Sequence, residues 1–253
     1  MSEAHTRKML LQEAQYEFPY HYIPYLANMG SARRHRMLRW GFEYLCYQHH
    51  IRDTVMQLTP KSALEIGCGD GYLIGSLADD VEYCVGADFS AKAIGFARAF
   101  HPDVDFHIGD ASDIEGEFDV VAAVEVLEHI PDKEVSDFLR ILFNRARPGG
   151  HIVVSVPSVV LPLSNKHFRH YTSELLREQV LGACPDADVE SEEYVCRIPR
   201  WMATYNKLTA NRYWFLDVGL VSDWIWRRLW KSHRVGDENT GRHVVGVFRK
   251  PSP

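Results

Sequence analysis

Leu64-Glu65-Ile66-Gly67-Cys68-Gly69-Asp70-Gly71 decides the fold of this chain. An apolar strand beginning at about Ser62 runs into glycines at alternate positions, and helix-forming sequence follows from Tyr72. A turn bare of side chains at a strand's carboxyl end lets a ligand lie against the backbone. Glu65 stands inside the strand, where an acid needs a polar or cationic partner.

Four further strand patterns follow in order. Tyr83-Cys84-Val85-Gly86-Ala87-Asp88 ends in an acid about twenty residues after the loop, placed to accept from two ribose hydroxyls. Phe89 and Ser90 come next, Ser90 as the cap of a helix running through Arg98. Phe89 reads either as a ligand contact or as plain packing. Val104 to Ala111 gives a third strand, with Asp110 at its end placed to accept from an adenine amino group. Phe118 to Val124 is apolar on both faces, as a central parallel strand should be. Arg147-Pro148-Gly149-Gly150 reads as a turn before a fifth strand, His151 to Val156. Helical patterns separate these strands, which predicts right-handed βαβ units and an open parallel sheet.

The loop spacing is G-x-G-x-G, not the G-x-G-x-x-G of a dinucleotide site. Asp70 inside it would repel a pyrophosphate and suits a ligand carrying positive charge, such as S-adenosylmethionine (SAM). That disfavours a nicotinamide dehydrogenase.

From about Ser62 to Leu181 the chain resembles the class I SAM-dependent methyltransferases. The resemblance implies a Rossmann-like α/β fold, with a mainly parallel seven-stranded sheet and helices on both faces. It implies SAM as cofactor and a SAM site at Glu65, Gly67, Cys68, Gly69, Asp88, Phe89, Asp110 and Ala111. In that family the glycine loop cradles the methionine part, the acid matching Asp88 holds the ribose, and the acid matching Asp110 holds the adenine.

The composition of this 253-residue chain fits one such domain with additions: 46% of its residues are hydrophobic, enough to fill a core. The expected organisation is a lid with helices over 1–58 and a methyltransferase domain over 59–253, carrying a helical cap at about 198–240. A net charge of −6 gives the whole molecule no strong attraction for nucleic acid. Five scattered cysteines without C-x-x-C spacing fit reduced thiols, and the start lacks a signal-peptide core. No apolar run is long enough to span a membrane. Together these predict a cytoplasmic protein. Oligomeric state stays open.

The acceptor side rests on three decorations. Tyr16 to Tyr25 is dense in aromatics and broken by Pro19 and Pro24; it reads equally as a lid over the pocket or as packing on a sheet edge. A basic helix with Arg33, Arg34, Arg36 and Arg39 is expected after it, its charges forming a solvated face. Second, Glu125-Val126-Leu127-Glu128-His129 follows the fourth strand, and Asn165 to Thr172 brings His167 and His170 after the fifth. If the first turn is helical, Glu125, Glu128 and His129 share a face and suit Mg²⁺ or Mn²⁺.

These two segments resemble the ubiquinone-pathway O-methyltransferases and the small-RNA 3′-terminal 2′-O-methyltransferases. The second group implies a metal quartet of Glu125, Glu128, His129 and His167. Metal-free members of the superfamily carry a similar loop, in which the acid and histidine only order the chain. Without metal, His129 or His167 serves as general base, and His170 reads as a structural hydrogen-bonder.

The third decoration separates a sixth strand, about Val189 to Arg197, from a last one, His243 to Phe248. It carries Trp201, Trp214, Trp224, Trp226 and Trp230 interleaved with Lys and Arg. Nucleic-acid stacking, a bilayer interface, a subunit contact, a sugar-binding cap and simple packing all fit. One amphipathic helix is expected from Leu216 to Leu229, and a loop from Ser232 to Arg242.

The expected activity is SAM-dependent O-methylation of a hydroxyl on a small molecule or glycan-type substrate, with Glu125, His129 and His167 catalytic. An RNA 2′-O-methyltransferase and a SAM-binding regulatory protein without turnover are the alternatives.

Overall fold

The computed structural model describes residues 3–13, 25–27, 31–33, 41–211 and 214–252. Helix α1 (Glu3–Glu13) precedes a small hairpin of β1 (Tyr25–Ala27) and β2 (Ser31–Arg33), and α2 (Gly41–Gln57) follows. The alternating core comprises β3 (Ser62–Ile66), α3 (Tyr72–Leu77), β4 (Tyr83–Asp88), α4 (Ala91–Phe100), β5 (Asp105–Ile108) and β6 (Phe118–Val124). Then come α5 (Asp132–Arg145), β7 (Ala146–Pro157), α6 (Ser173–Ala183), β8 (Asp188–Arg197), α7 (Arg200–Thr209), α8 (Gly219–Ser232) and β9 (Gly241–Arg249).

Seven strands form one sheet in the order β5-β4-β3-β6-β7-β9-β8. Strands β3 to β7 pair in parallel, whereas β9 runs antiparallel between β7 and β8. The order reverses at β3 and β6, which opens a crevice at their carboxyl ends. The expected Rossmann-like α/β sheet is thus the observed one.

Each face of the sheet has its own hydrophobic layer. Phe42, Leu45, Ile51 and Val55 of α2 pack on one face with Leu73, Ile74 and Ile94. Val135, Leu139 and Leu142 of α5, spaced by four and three residues, pack on the other with Leu176 and Val180 of α6. That spacing places them on one stripe, and burying each such side chain contributes about 1.5–3 kcal/mol. The central β6 is buried from Val120 to Val124 because both layers cover it.

Three local expectations need correction. The sequence 147–150 does not turn ahead of the fifth strand: it lies within β7, although Gly149 adopts a left-handed φ of 73°. Arg33 ends a strand rather than opening a basic helix. The helix expected from Leu216 begins at Gly219 as α8, and the Trp-rich insert adds a further helix, α7, that was not expected. The aromatic leader at 16–24 and Arg34, Arg36 and Arg39 lie outside the described residues.

Candidate active site

The glycine loop is built almost entirely from backbone. Gly67, Gly69 and Gly71 all have positive φ (76°, 55° and 79°), a region that L side chains resist. A β-carbon on Gly67 would lie 2.4 Å from Val126 Cγ2, so this glycine also lets the loop pack under the β6 turn. The Gly67 and Cys68 amides donate to the Ala87 carbonyl, tying the loop to the end of β4.

Asp88 is oriented before any ligand arrives. Its Oδ2 accepts from the Gly69 amide at 3.0 Å and its Oδ1 from the Ser90 amide at 2.8 Å. Ser90 caps α4 by accepting from the Ala93 amide, as its position implied. Phe89 beside it is 66% exposed, so it is not core packing. Asp110 accepts from the Ser112 amide and caps the short turn Ala111–Asp113, leaving Ala111 buried beneath.

Glu65 differs from its expected place. It is 3% exposed, and its Oε2 accepts from the Ile74 amide at 3.0 Å, inside α3. The carboxyl therefore braces the helix behind the loop rather than facing the crevice. Burial raises it well above the usual carboxylate range, as burial raises Asp70 to about 7 and pushes the Cys68 thiol up. Cys68 is itself buried.

At the other half of the crevice the chain leaves β6 through Glu125, whose φ of 56° is unusual for a residue with a β-carbon. That geometry breaks the helix expected here. Only Leu127–His129 form a short 3₁₀ turn, and Glu125 points elsewhere. Its Oε1 accepts from Ser155 Oγ (2.9 Å) and faces His243 Nδ1 (3.1 Å). His243 Nε2 lies 3.2 Å from Glu43 Oε1, to which Arg242 Nε donates at 2.7 Å. Burial alone would lower the His243 pKa. Glu125 and Glu43 outweigh it and hold the ring up at about 10, an imidazolium bridging two carboxylates. Glu43 is held below the usual range, because His243 and Arg242 outweigh its own burial.

Glu128, His129 and His167 converge instead, offering ligand atoms within 4.8 Å of one another. The geometry thus groups three of the expected quartet and withholds Glu125. Glu128 is 1% exposed, and its Oε2 has no hydrogen-bond partner. Burial, with Glu125 next, raises its pKa well above the carboxylate range. Burial lowers His129 to about 4 and His167 to about 3, so both rings are neutral near pH 7.

Their tautomers follow from carbonyl acceptors. His129 Nδ1 lies 3.3 Å from the Lys166 carbonyl, so that nitrogen carries the hydrogen. His170 Nδ1 faces the Leu161 carbonyl at 3.0 Å, which leaves its Nε2 to accept from His167 Nδ1 at 2.8 Å. Both His129 and His167 therefore present Nε2 as a lone pair, and His170 acts as the structural hydrogen-bonder expected of it.

Two further residues hold these loops together. The Arg169 guanidinium donates to the carbonyls of Leu127 and Ile130, to Asp132 and to the Tyr171 hydroxyl, joining the 3₁₀ turn to the His167 loop. Lys8 of α1 donates to the carbonyls of Asn165 and His167 and sits 4.6 Å from the Phe168 ring centre. Sequence reasoning missed Glu43, Ser155, Arg169 and His243. A signal existed for two of them: Glu43 stands among apolar Phe42, Tyr44 and Leu45, and His243 opens the otherwise apolar run Val244 to Phe248.

Residues 37–187 match the family described as "Methyltransferase domain". The chain is 34% identical over 137 residues to a ubiquinone biosynthesis O-methyltransferase of Aromatoleum aromaticum, covering 51% of this chain and 55% of that one. It is 34% identical over 179 residues to the protein of the same name from Thiobacillus denitrificans, covering 62% and 74% respectively. The chain thus spans about half the length of the first of these relatives. The solved magnesium protoporphyrin IX methyltransferase of Synechocystis, with bound SAM, aligns over 96% of each chain with a TM-score of 0.59 and 14% identity, a likeness of fold. The chain belongs to the methyltransferase-domain family, on the class I SAM-dependent methyltransferase fold.

Proposed function

We propose that this chain transfers the methyl group of SAM to a hydroxyl oxygen of a small molecule or glycan-type substrate. The observation that carries the reading is the convergence of Glu128 with His129 and His167, both rings neutral and a ligand atom of each residue within 4.8 Å of the others. Pre-oriented Asp88 suits the ribose hydroxyls, and exposed Phe89 and Asp110 suit the adenine.

SAM brings a methyl already activated by its sulfonium, so the protein's work is alignment and proton removal. The substrate oxygen attacks the methyl carbon in line as the carbon–sulfur bond breaks, and S-adenosylhomocysteine leaves. His167 Nε2 takes the hydroxyl proton. Its Nδ1–H stays bonded to His170, which keeps the ring turned toward the substrate.

The same residues fit a divalent cation. Glu128 has an orphaned buried oxygen, and the Lys166 carbonyl orients His129 while the His170 ring orients His167, the usual outer support of a metal ligand. Glu128, His129 and His167 would hold Mg²⁺ or Mn²⁺, which lowers the pKa of a bound hydroxyl. A vicinal diol or catechol would offer it two oxygens.

The test is methyl transfer from labelled SAM to a panel of catechols and diols before and after thorough chelation. Oxygen methylation that EDTA abolishes and Mg²⁺ or Mn²⁺ restores supports the metal-assisted form. Full activity after chelation removes the metal and leaves His167 as the base. Methylation only at nitrogen or carbon overturns the reading.

A further inference from the structure

The insert that the active site does not use has two sides of different chemistry. Its inner side is absorbed by the fold: Ser222, Ile225, Trp226 and Leu229 of α8 are buried, and Trp226 lies 6.1 Å from the His49 ring of α2. Helical spacing puts Leu220, Val221, Trp224, Arg227, Arg228 and Lys231 on the opposite side.

That outer side is apolar at one end and cationic at the other. Leu220 is 83% exposed and Trp224 54% exposed. Trp224 adjoins the exposed Trp201 of α7, their ring centres 5.5 Å apart. One turn further along, Arg227, Arg228 and Lys231 are all exposed. Between Arg200 and Lys231 the sequence holds six cations against Asp217 and Asp223, a local balance of +4 in a chain of net charge −6.

Indole and aliphatic side chains beside a cationic cluster are the chemistry of a bilayer interface, the rings entering the headgroup region and the cations meeting lipid phosphates. A second copy of the chain fits less well, because a two-fold contact would press this cationic cluster against itself. We propose that the outer side of α7 and α8 docks on an anionic lipid surface. The charge contrast with the acidic remainder of the chain sets the orientation: the cap faces the membrane and the body is repelled from it.

The experiment is sedimentation of the full chain with vesicles of phosphatidylcholine alone and of phosphatidylcholine with phosphatidylglycerol. Binding to the anionic vesicles only is expected, with a blue shift of tryptophan emission and loss of binding in high salt. The triple variant Arg227→Glu, Arg228→Glu, Lys231→Glu should bind roughly 100-fold more weakly. A second variant, Leu220→Ser with Trp224→Ala, should lose both binding and blue shift. All these positions are exposed, so SAM affinity and the melting temperature should not change, which separates lost docking from lost folding. Absent binding to anionic vesicles overturns the proposal. So does unchanged binding of both variants, or a variant-sensitive dimer or RNA complex formed without vesicle binding. None of these outcomes bears on the methyl-transfer chemistry.

Discussion

The two halves of the crevice are made of different material. The half formed by β3, β4 and β5 is backbone: left-handed glycines, strand-end amides and one carboxylate held by two of those amides. The half formed by β6, β7 and β9 is side chain: carboxylates, imidazoles and a guanidinium brought together from stretches far apart in the chain. A backbone site tolerates most side-chain exchange but no added β-carbon. A side-chain site is the reverse, since it depends on which charge faces which.

The sharpest break of the contrast lies in the second half. His167→Ala removes the proposed general base while leaving the sheet intact, and turnover should fall roughly 10²- to 10⁴-fold with SAM affinity unchanged. Equal turnover in a steady-state assay would remove His167 from the chemistry.

Next comes His243→Ala, which strips the shared imidazolium from half-buried Glu125 and leaves buried Glu43 with Arg242 alone. Breaking a buried ion pair costs about 3–5 kcal/mol, or about 10 °C in melting temperature for a domain of this size. The pH dependence has a definite sign. The folded His243 pKa of about 10 lies above its unfolded value, so its stabilisation is complete below about pH 6.5 and is lost toward pH 10. Calorimetric melts across that window should show the decline in the native chain and a flatter profile in the variant.

In the first half Gly67→Ala should cost about 2–4 kcal/mol, combining a left-handed backbone with a clash against Val126. Shortening Val126 in the same chain should recover only the clash. Smallest is Asp88→Ala, which would remove the charge-assisted hydrogen bonds proposed to the ribose and should raise the SAM dissociation constant about 10- to 100-fold. Unchanged affinity by titration calorimetry would take Asp88 out of the site.

The same contrast explains what was legible in the sequence. The strands, the glycine loop and Asp88 are local patterns, readable from a few neighbouring residues, and the helices between the strands fixed the sheet's direction. Glu125 was misread because its left-handed φ interrupts the spacing that would have put it beside Glu128. Glu65 was expected in the crevice, but its partner is an amide of the next helix. The pairing of Glu43 with His243 has no local trace, for the two stand 200 positions apart. The Trp-rich insert showed one apolar period, whereas the chain reverses between Ala210 and Phe215 and makes two helices.

The antiparallel β9 has a consequence for the order in which the molecule is completed during synthesis. Glu125 is translated 118 residues before its shared counter-ion, and Glu43 200 residues before it. A nascent chain can therefore assemble the glycine-loop side of the crevice while the side formed by β6 and β7 still holds carboxylates that lack His243. Those acids stay hydrated until the ribosome delivers His243 and β9 slides between β7 and β8. Closing of that wall thus waits for β9.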